Sequence, residues 1–184
     1  MTNAELAILS LIAENPHHGY EIEQVIDARG MREWTEVGFS SIYYILKKLQ
    51  GQGLIQSQPE PPKGRGPGRK VYRLTPAGRA AWRRATLAVL ANPERAYSPF
   101  QLGLANLPLV PVQDAILALR DNSQRLLDRR DHVRARMDRA GDDLPFDVAA
   151  MFDLSLTLIE AELDWVRRFV RTLSAQNETR SINE

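Results

Sequence analysis

Hydrophobic residues recur at helical spacing through the first half of the chain, and glycine and proline interrupt them. Apolar side chains three and four positions apart predict helices over about residues 3–14, 20–29 and 40–50. A fourth helix is expected to begin at Thr75-Pro76, because a cap residue followed by proline is a common helix start, and to continue to about Ala91. The pattern therefore predicts a largely helical first half.

Between the third and fourth predicted helices the pattern changes to one that suits β-strands. Residues 54–58 and 71–74 are short and compatible with a pair of strands. Residues 59–68 are predicted to form a loop, because four prolines exclude this stretch from the interior of a strand. The resulting order is three helices, a strand, a loop, a strand and a helix. This is the arrangement of a winged helix-turn-helix domain with a two-stranded wing.

The second half of the chain carries hydrophobic seams of the kind found in coiled coils. Residues 92–111 are punctuated by proline and mark a boundary, so we expect a winged helix-turn-helix domain over 1–91 and a helical domain over 92–184. Long helices are predicted over about 112–140 and 145–175. The seam of the second helix consists of Phe152, Leu156, Ile159, Leu163, Val166, Val170 and Leu173. The expected fold class is therefore mainly α.

The second seam requires a helix to cover it along its length. Leu158, Trp165 and Phe169 lie beyond this seam and need a further surface, because two helices enclose only one side of each other. A second copy of the chain is the simplest source of that surface. We therefore predict that the helical domain forms a homodimer and that the seven seam residues carry the dimer contact.

Composition removes several classes of function. The 184 residues include no cysteine, which excludes disulfides, thiolate zinc sites and a cysteine nucleophile. His17, His18 and His132 do not combine with carboxylates as metal ligands would, and the histidine pair is expected to form a polar turn. No paired carboxylates, Ser-His-Asp order or glycine-rich nucleotide fingerprint stands out. We therefore expect no enzyme, no catalytic residue, no metal and no cofactor.

Signals for a membrane or for export are not found in the sequence. No apolar run approaches the ~20 residues that a membrane helix needs. The N-terminus lacks the basic, apolar and small-residue succession of a signal peptide. We therefore expect a cytoplasmic protein without a membrane partner.

Positive charge is concentrated in the predicted wing, although the formal net charge is only +1. The stretch KGRGPGRKVYRLT, residues 63–75, combines bendable glycines with basic side chains and contains no acid. Such a loop suits DNA phosphates or a narrow minor groove. The alternative is a charged hairpin tip without a ligand, whereas the glycine spacing and the strand that follows exclude a nucleotide phosphate loop. The basic residues concerned are Lys63, Arg65, Arg69 and Lys70.

The third predicted helix has one apolar face and one face suited to nucleic acid. The core face consists of Ile42, Ile45, Leu46 and Leu49. The opposite face is centred on Ser40, Tyr44 and Lys47, with Tyr43 and Lys48 on its flanks. Hydroxyl, phenol and ammonium groups side by side suit base edges and phosphates in a major groove. A merely solvated face is the alternative, since every amphipathic helix has one.

Three stretches of the first half match a known family pattern in their order and separation. They are AILSLIAENPHHGYEI, GFSSIYYILKKLQGQGLI and GRKVYRLTPAGR, and they resemble the PadR-type transcriptional regulators. The family's His-Gly-Tyr-Glu turn is matched at residues 18–21, and the Ser-Ile-Tyr core of its recognition helix at residues 41–43. Many members have Pro and Glu where this chain has Tyr44 and Gln50. The candidate DNA-binding residues are Tyr20, Ser40, Ser41, Tyr43, Tyr44, Lys47, Lys48, Lys63, Arg65, Arg69 and Lys70.

The resemblance implies a repressor-like regulator whose DNA affinity is relieved by a small molecule. The second half, including SPFQLGLANLPLVP, resembles the helical C-terminal domain of the longer members, which dimerises. We therefore expect a homodimer that binds a pseudo-palindromic operator in double-stranded DNA, with a small-molecule effector as a further partner. Two alternatives stay open. One is a winged-helix protein-interaction module without DNA binding, and the other is an effector-binding protein or enzyme with its pocket between the two domains.

Overall fold

The structure of the chain is a computed structural model. It describes residues 1–33, 35, 38, 41–60, 69–93, 98–141 and 143–183. The chain divides into two compact units, Met1–Arg95 and Ala96–Glu184, and each unit has its own hydrophobic core. Helices make up most of both units, which confirms the mainly α fold class.

Unit 1 combines helices with a small sheet in the order of a winged helix-turn-helix domain. Its helices are α1 (Asn3–Glu14), α2 (Gly19–Ala28), α3 (Ser41–Gly51) and α4 (Pro76–Ala91), and a turn of 3-10 helix spans Met31–Glu33. All four predicted helices are present, and their bounds differ from the predicted ones by no more than a residue. The periodicity of the apolar residues was therefore a sufficient signal for these elements.

The core of unit 1 is aliphatic and draws on the first three helices and the sheet. Burying each such side chain contributes about 1.5–3 kcal/mol to folding. Because three of them lie on α3 at helical spacing, their burial determines which face of α3 points away from the core. The side chains that are fully inaccessible to solvent, or nearly so, are Ile8, Leu9, Leu11, Ile22, Ile26, Ile42, Leu46, Leu49 and Ile55.

The sheet has three antiparallel strands in the order β1-β3-β2. They are β1 (His17–His18), β2 (Ile55–Glu60) and β3 (Arg69–Leu74). The hairpin of β2 and β3 is the predicted two-stranded wing. The polar turn predicted at the histidine pair is wrong, because His17 pairs with Tyr72 and His18 with Val71. Two residues carry no readable alternation, and only the neighbouring strand β3 gives them an extended conformation.

The loop predicted over residues 59–68 is also too long at its start. Pro59 belongs to β2 and pairs with Lys70, and Glu60 pairs with Arg69. Proline is tolerated here because β2 is an edge strand, where half of the backbone N–H groups have no ladder partner. Residues 61–68, which include the predicted contacts Lys63 and Arg65, lie outside the described residues.

Helix α4 is docked on the start of β2 at Gly78. Thr75 caps the helix, because its hydroxyl accepts a hydrogen bond from the Gly78 N–H at 3.0 Å and donates one to the Gly53 carbonyl at 2.7 Å. A Cβ atom at position 78 would lie 1.8 Å from the Leu54 carbonyl oxygen. Only glycine therefore permits this approach. Farther along α4, the Trp82 indole N–H donates to the Ser10 hydroxyl of α1 at 3.1 Å.

Unit 2 is built from two long helices that pack against each other, preceded by a short one. They are α5 (Pro99–Ala105), α6 (Val112–Ala140) and α7 (Phe146–Asn183). The core between α6 and α7 contains Leu119, Leu126, Ile159, Leu163 and Val166. Within the described residues, none of the helices has the length and apolar character needed to cross a membrane.

An aromatic group joins α5 to α7. Phe100 meets Trp165 edge to face with ring centroids 5.9 Å apart, and Trp165 stacks on Phe169 at 4.9 Å. Trp165 and Phe169 were expected to need a partner chain to cover them. Helix α5 of the same chain supplies part of that cover, whereas Leu158 is 60% exposed.

Replacing Gly78 tests the docking of α4. We expect Gly78→Ala to lower the free energy of unfolding by about 1–3 kcal/mol or more, because the new methyl group would overlap a backbone carbonyl oxygen rather than a flexible side chain. Gly51→Ala is the matched control, since a Cβ at that helical position meets nothing within 4 Å. We expect this control to be neutral or to stabilise by up to about 1 kcal/mol. Urea unfolding followed by circular dichroism measures both changes, and equal stabilities would contradict the contact.

Candidate nucleic-acid interface

The outward face of α3 presents aromatic and basic side chains on a rigid support. Tyr43 and Tyr44 are 58% and 67% exposed, and Lys47 is exposed beside them. The opposite face of the same helix holds the inaccessible Ile42 and Leu46. The predicted division of this helix into a core face and an outward face is therefore present in the structure.

Ser41, another predicted contact residue, is the first residue of α3. The Ser41 side chain is half-buried, and its hydroxyl donates a hydrogen bond to the Gly38 carbonyl at 2.7 Å. The Ser41 side chain is thus directed to the backbone that precedes α3 in this structure. Ser40, the predicted cap, lies outside the described residues.

Tyr43 lies directly on the start of α2. A Cβ atom at Gly19 would come within 2.9 Å of the Tyr43 ring carbon Cε1, so a side chain at position 19 would displace the ring. Tyr20 follows on α2, is 37% exposed, stacks on His18 with ring centroids 5.7 Å apart and donates its hydroxyl hydrogen to Glu21 at 3.2 Å. The His-Gly-Tyr-Glu turn therefore supports the same face of α3 that carries the exposed tyrosines.

Lys48 differs from its neighbour Lys47, because its ammonium group contacts a carboxylate of α1. The distance from Lys48 Nζ to Glu5 Oε1 is 2.5 Å. The hydrogen bond to Lys48 lowers the pKa of Glu5, and the same hydrogen bond raises the pKa of Lys48. Lys48, a predicted DNA contact, therefore forms an ion pair within unit 1 in this structure.

The base of the wing is held by His18. Its ring atom Nε2 lies 3.0 Å from Glu60 Oε2 of β2, and Nδ1 lies 3.2 Å from the Lys70 carbonyl oxygen of β3. One imidazole therefore contacts both wing strands. The Lys70 side chain itself is exposed, and of Arg69 only the backbone is described.

Glu21 holds the start of α2 through a hydrogen bond with the backbone of His18. The His18 backbone N–H donates to Glu21 Oε2 at 2.8 Å. Burial acts to raise the pKa of Glu21, but this hydrogen bond and the charges of the nearby histidines outweigh burial, and the pKa is lowered. The Glu21 carboxylate is thus held ionised in the turn of residues 18–21, which contains Tyr20.

The predicted dimerisation seam runs along α7, and its centre is covered within the chain. Ile159, Leu163 and Val166 are buried against α6, which is the helix that the seam requires. These three side chains have no surface left for a second copy. The sequence pattern required a helix against the seam but did not show whether that helix belongs to the same chain or to a partner. A dimer contact by the four half-buried members of the seam stays a prediction. Those members are Phe152, Leu156, Val170 and Leu173.

Sequence reasoning missed two supporting residues of this interface. Glu5 is visible in the sequence only as the third position of a capping box that begins at Thr2. Glu60 adjoins the proline-rich loop and carried no signal at all. Both act through residues far away in the chain, Lys48 and His18, which explains why spacing alone did not find them.

The chemistry available at this surface is that of binding. Among the described residues, no three His, Cys, Asp or Glu side chains come together as metal ligands would. Phenols, an ammonium group and exposed basic residues can instead donate hydrogen bonds to base edges and phosphates. The arrangement is suited to recognising a polyanion.

Comparison with known proteins agrees with this description. Residues 8–84 match the PadR-like family of transcriptional regulators. The transcriptional regulator Rv3488 of Mycobacterium tuberculosis is 40% identical over 76 residues, which make up 41% of this chain. The match spans 65% of that relative, slightly less than two thirds of its length.

Solved structures share the fold over most of the chain. The crystal structure of Bacillus subtilis PadR in complex with operator DNA is 19% identical with a TM-score of 0.76, and covers 92% of this chain and 98% of its own. The complex of the same protein with p-coumaric acid is 18% identical, with a TM-score of 0.77 and the same coverage. At these identities the likeness concerns the fold alone. The family match itself places a PadR-like transcriptional-regulator domain at residues 8–84 of this chain.

Proposed function

We propose that this chain is a sequence-specific DNA-binding repressor that binds a pseudo-palindromic operator as a homodimer. The observation that carries the proposal is the outward face of α3, where exposed Tyr44 and Lys47 stand opposite a fully buried aliphatic face. A helix held in this way fits the major groove, which is about 12 Å wide. Residues 1–91 would bind DNA and residues 92–184 would dimerise.

The individual side chains of α3 suit different parts of a base pair. The Lys47 ammonium group can donate to guanine O6 and N7, and the Tyr44 ring can contact a thymine methyl group or donate its hydroxyl hydrogen to a phosphate. Both side chains project from a helix rather than a loop. Their positions relative to the core are therefore fixed before any DNA arrives.

The wing would add binding that does not depend on sequence. Lys70 is exposed near the end of the β2–β3 hairpin, and the sequence places Lys63 and Arg65 a few residues before it. Neutralising phosphates releases counterions and gives affinity that falls with salt. From the sequence alone, we assign the same role to Lys63, Arg65 and Arg69.

The homodimer is supported by apolar side chains that α7 leaves exposed. Met151, Leu154 and Leu158 are 40%, 59% and 60% exposed. Exposed large apolar residues spaced along one helix are typical of a surface that a partner covers. A second copy of α7 would provide that cover and would hold two recognition helices for two half-sites.

Control by a small molecule completes the proposal. Its support is the fold shared with the Bacillus subtilis PadR that was crystallised with p-coumaric acid. A screen of small organic acids that includes p-coumaric acid, scored by loss of operator affinity, tests this part. If no compound alters operator affinity, release by an effector of this class is contradicted.

The proposed function itself is tested by selection from a random duplex library. The purified chain should enrich an inverted repeat, and a scrambled version of that repeat should bind about a thousandfold or more weakly at one salt concentration. Failure to bind any duplex would favour the winged-helix protein-interaction module. Binding without sequence preference would contradict a specific regulator.

Substitutions on α3 test sequence readout. We expect Tyr44→Ala and Lys47→Ala each to weaken binding to the selected operator by about 1–3 kcal/mol and to leave binding to scrambled DNA nearly unchanged. Arg129→Ala, an exposed cation of α6, serves as the control and should change neither affinity. The measurement is a pair of dissociation constants for each variant at fixed salt. An unchanged ratio of the two constants would show that this helix does not read sequence.

A substitution on β3 tests the wing. We expect Lys70→Gln to make the slope of log K against log[salt] shallower by about 0.9 on any duplex, because one phosphate contact is lost. The His18 contact to the Lys70 backbone carbonyl does not involve the side chain and should persist. A slope equal to that of the unmodified chain would place Lys70 off the DNA.

Two substitutions on α7 separate dimerisation from folding. Leu158→Asp places a charge on the exposed face and should give a folded monomer. Its operator binding should be weaker, because a monomer lacks the high effective concentration of a second, linked recognition helix. Leu163→Asp places a charge at a position that is 4% exposed, and should destabilise unit 2 by about 3 kcal/mol or more. Sedimentation and circular dichroism distinguish the two outcomes. An intact Leu158→Asp dimer would contradict the proposed interface.

A further inference from the structure

Glu5 is the charged side chain that unit 1 buries. It is 6% exposed, and no other charged side chain in the described part of the chain is buried to this degree. Both of its carboxylate oxygens are used. Oε2 accepts a hydrogen bond from the Thr2 backbone N–H at 2.9 Å, and Oε1 contacts the Lys48 ammonium group at 2.5 Å.

This carboxylate joins two helices that are far apart in sequence. Glu5 belongs to the first turn of α1. The Glu5 backbone N–H donates a hydrogen bond to the Thr2 hydroxyl at 3.2 Å. Lys48 belongs to the last turn of α3. A buried carboxylate without its cation is costly, so Lys48 cannot leave Glu5 for a DNA phosphate without a large penalty.

Lys47 and Lys48 therefore point in different directions although they are neighbours. Consecutive side chains on a helix are separated by about 100° around its axis. Lys47 is exposed on the outward face, and Lys48 is directed to α1. The two lysines look equivalent in the sequence, but the Lys48 ammonium group contacts a carboxylate, although its side chain is 41% exposed.

We infer that Lys48 is a positioning residue that locks α3 to α1 through Glu5, and that it makes no phosphate contact when the chain binds DNA. The inference rests on the proposed function and assigns to Lys47 the cationic role on the outward face of α3. It replaces the phosphate contact that the sequence predicts at Lys48.

The ionisation of the pair is compatible with this role over a wide range of pH. Glu5 has a pKa lowered from 4.5, so its contribution to stability is present above that value and is lost as the pH falls through the folded pKa. Lys48 has a pKa raised from 10.5, so its contribution is present below that value and is lost as the pH rises further. The contact therefore persists between these limits.

The test compares salt slopes on random duplex DNA for the full chain and three variants. We expect Lys70→Gln, which removes the phosphate contact proposed for the wing, to reduce the slope by about 0.9, whereas Lys48→Gln leaves it unchanged. On the selected operator, Lys48→Gln should lower the ratio of operator to scrambled affinity by about fivefold or more, the smallest loss expected for one base contact. Lys48→Arg keeps the cation and should restore most of that ratio. A slope reduced by Lys48→Gln as much as by Lys70→Gln would overturn the inference.

A thermodynamic cycle tests the contact without DNA. The unfolding equilibrium constants of the unmodified chain, Glu5→Gln, Lys48→Gln and the double variant give the coupling of the two residues. This coupling should be about threefold or larger at neutral pH and should decrease as the pH falls through the folded pKa of Glu5. A coupling of unity would overturn the inference. If the unmodified chain binds no duplex, the proposed function fails together with the statement about phosphates, whereas a changed Lys48→Gln slope on a chain that binds DNA defeats the inference alone.

Discussion

The burial of one face of α3 is the constraint on which the candidate interface depends. Ile42, Leu46 and Leu49 are almost inaccessible to solvent, so the helix cannot turn about its axis without exposing aliphatic surface. Fixing this face fixes Tyr44 and Lys47 on the opposite one. The Glu5–Lys48 contact adds a directional restraint to an aliphatic core that has none, because hydrophobic contacts are non-directional.

The three-stranded sheet gives the wing a comparable support. β3 lies between β1 and β2, and His18 of β1 reaches acceptors on both wing strands. Since Glu60 pairs with Arg69, the residues on either side of the segment 61–68 are held next to each other. The helix that would read bases and the hairpin that would hold phosphates are thus both anchored to the same small core, through α1 and α2.

The sequence was sufficient for the four helices of unit 1 and for the division of α3 into two faces, because periodic apolar segments carry a strong signal. It was insufficient wherever a distant part of the chain decides. The strand at His17 exists only because Tyr72 is extended beside it, and Lys48 is occupied only because Glu5 lies across from it. On α7 the pattern required a partner helix for Leu163 but did not decide between the other predicted long helix and a second copy, and α6 covers this residue.

Proline in β2 has a consequence for how copies of the chain behave beside one another. An exposed edge strand offers its unpaired N–H and C=O groups to any other strand, and a dimer would keep two such edges at high local concentration. At Pro59 the edge has no N–H to give to an incoming strand. Pro59, which indicated a loop in the sequence pattern, thus protects the wing from edge-to-edge aggregation.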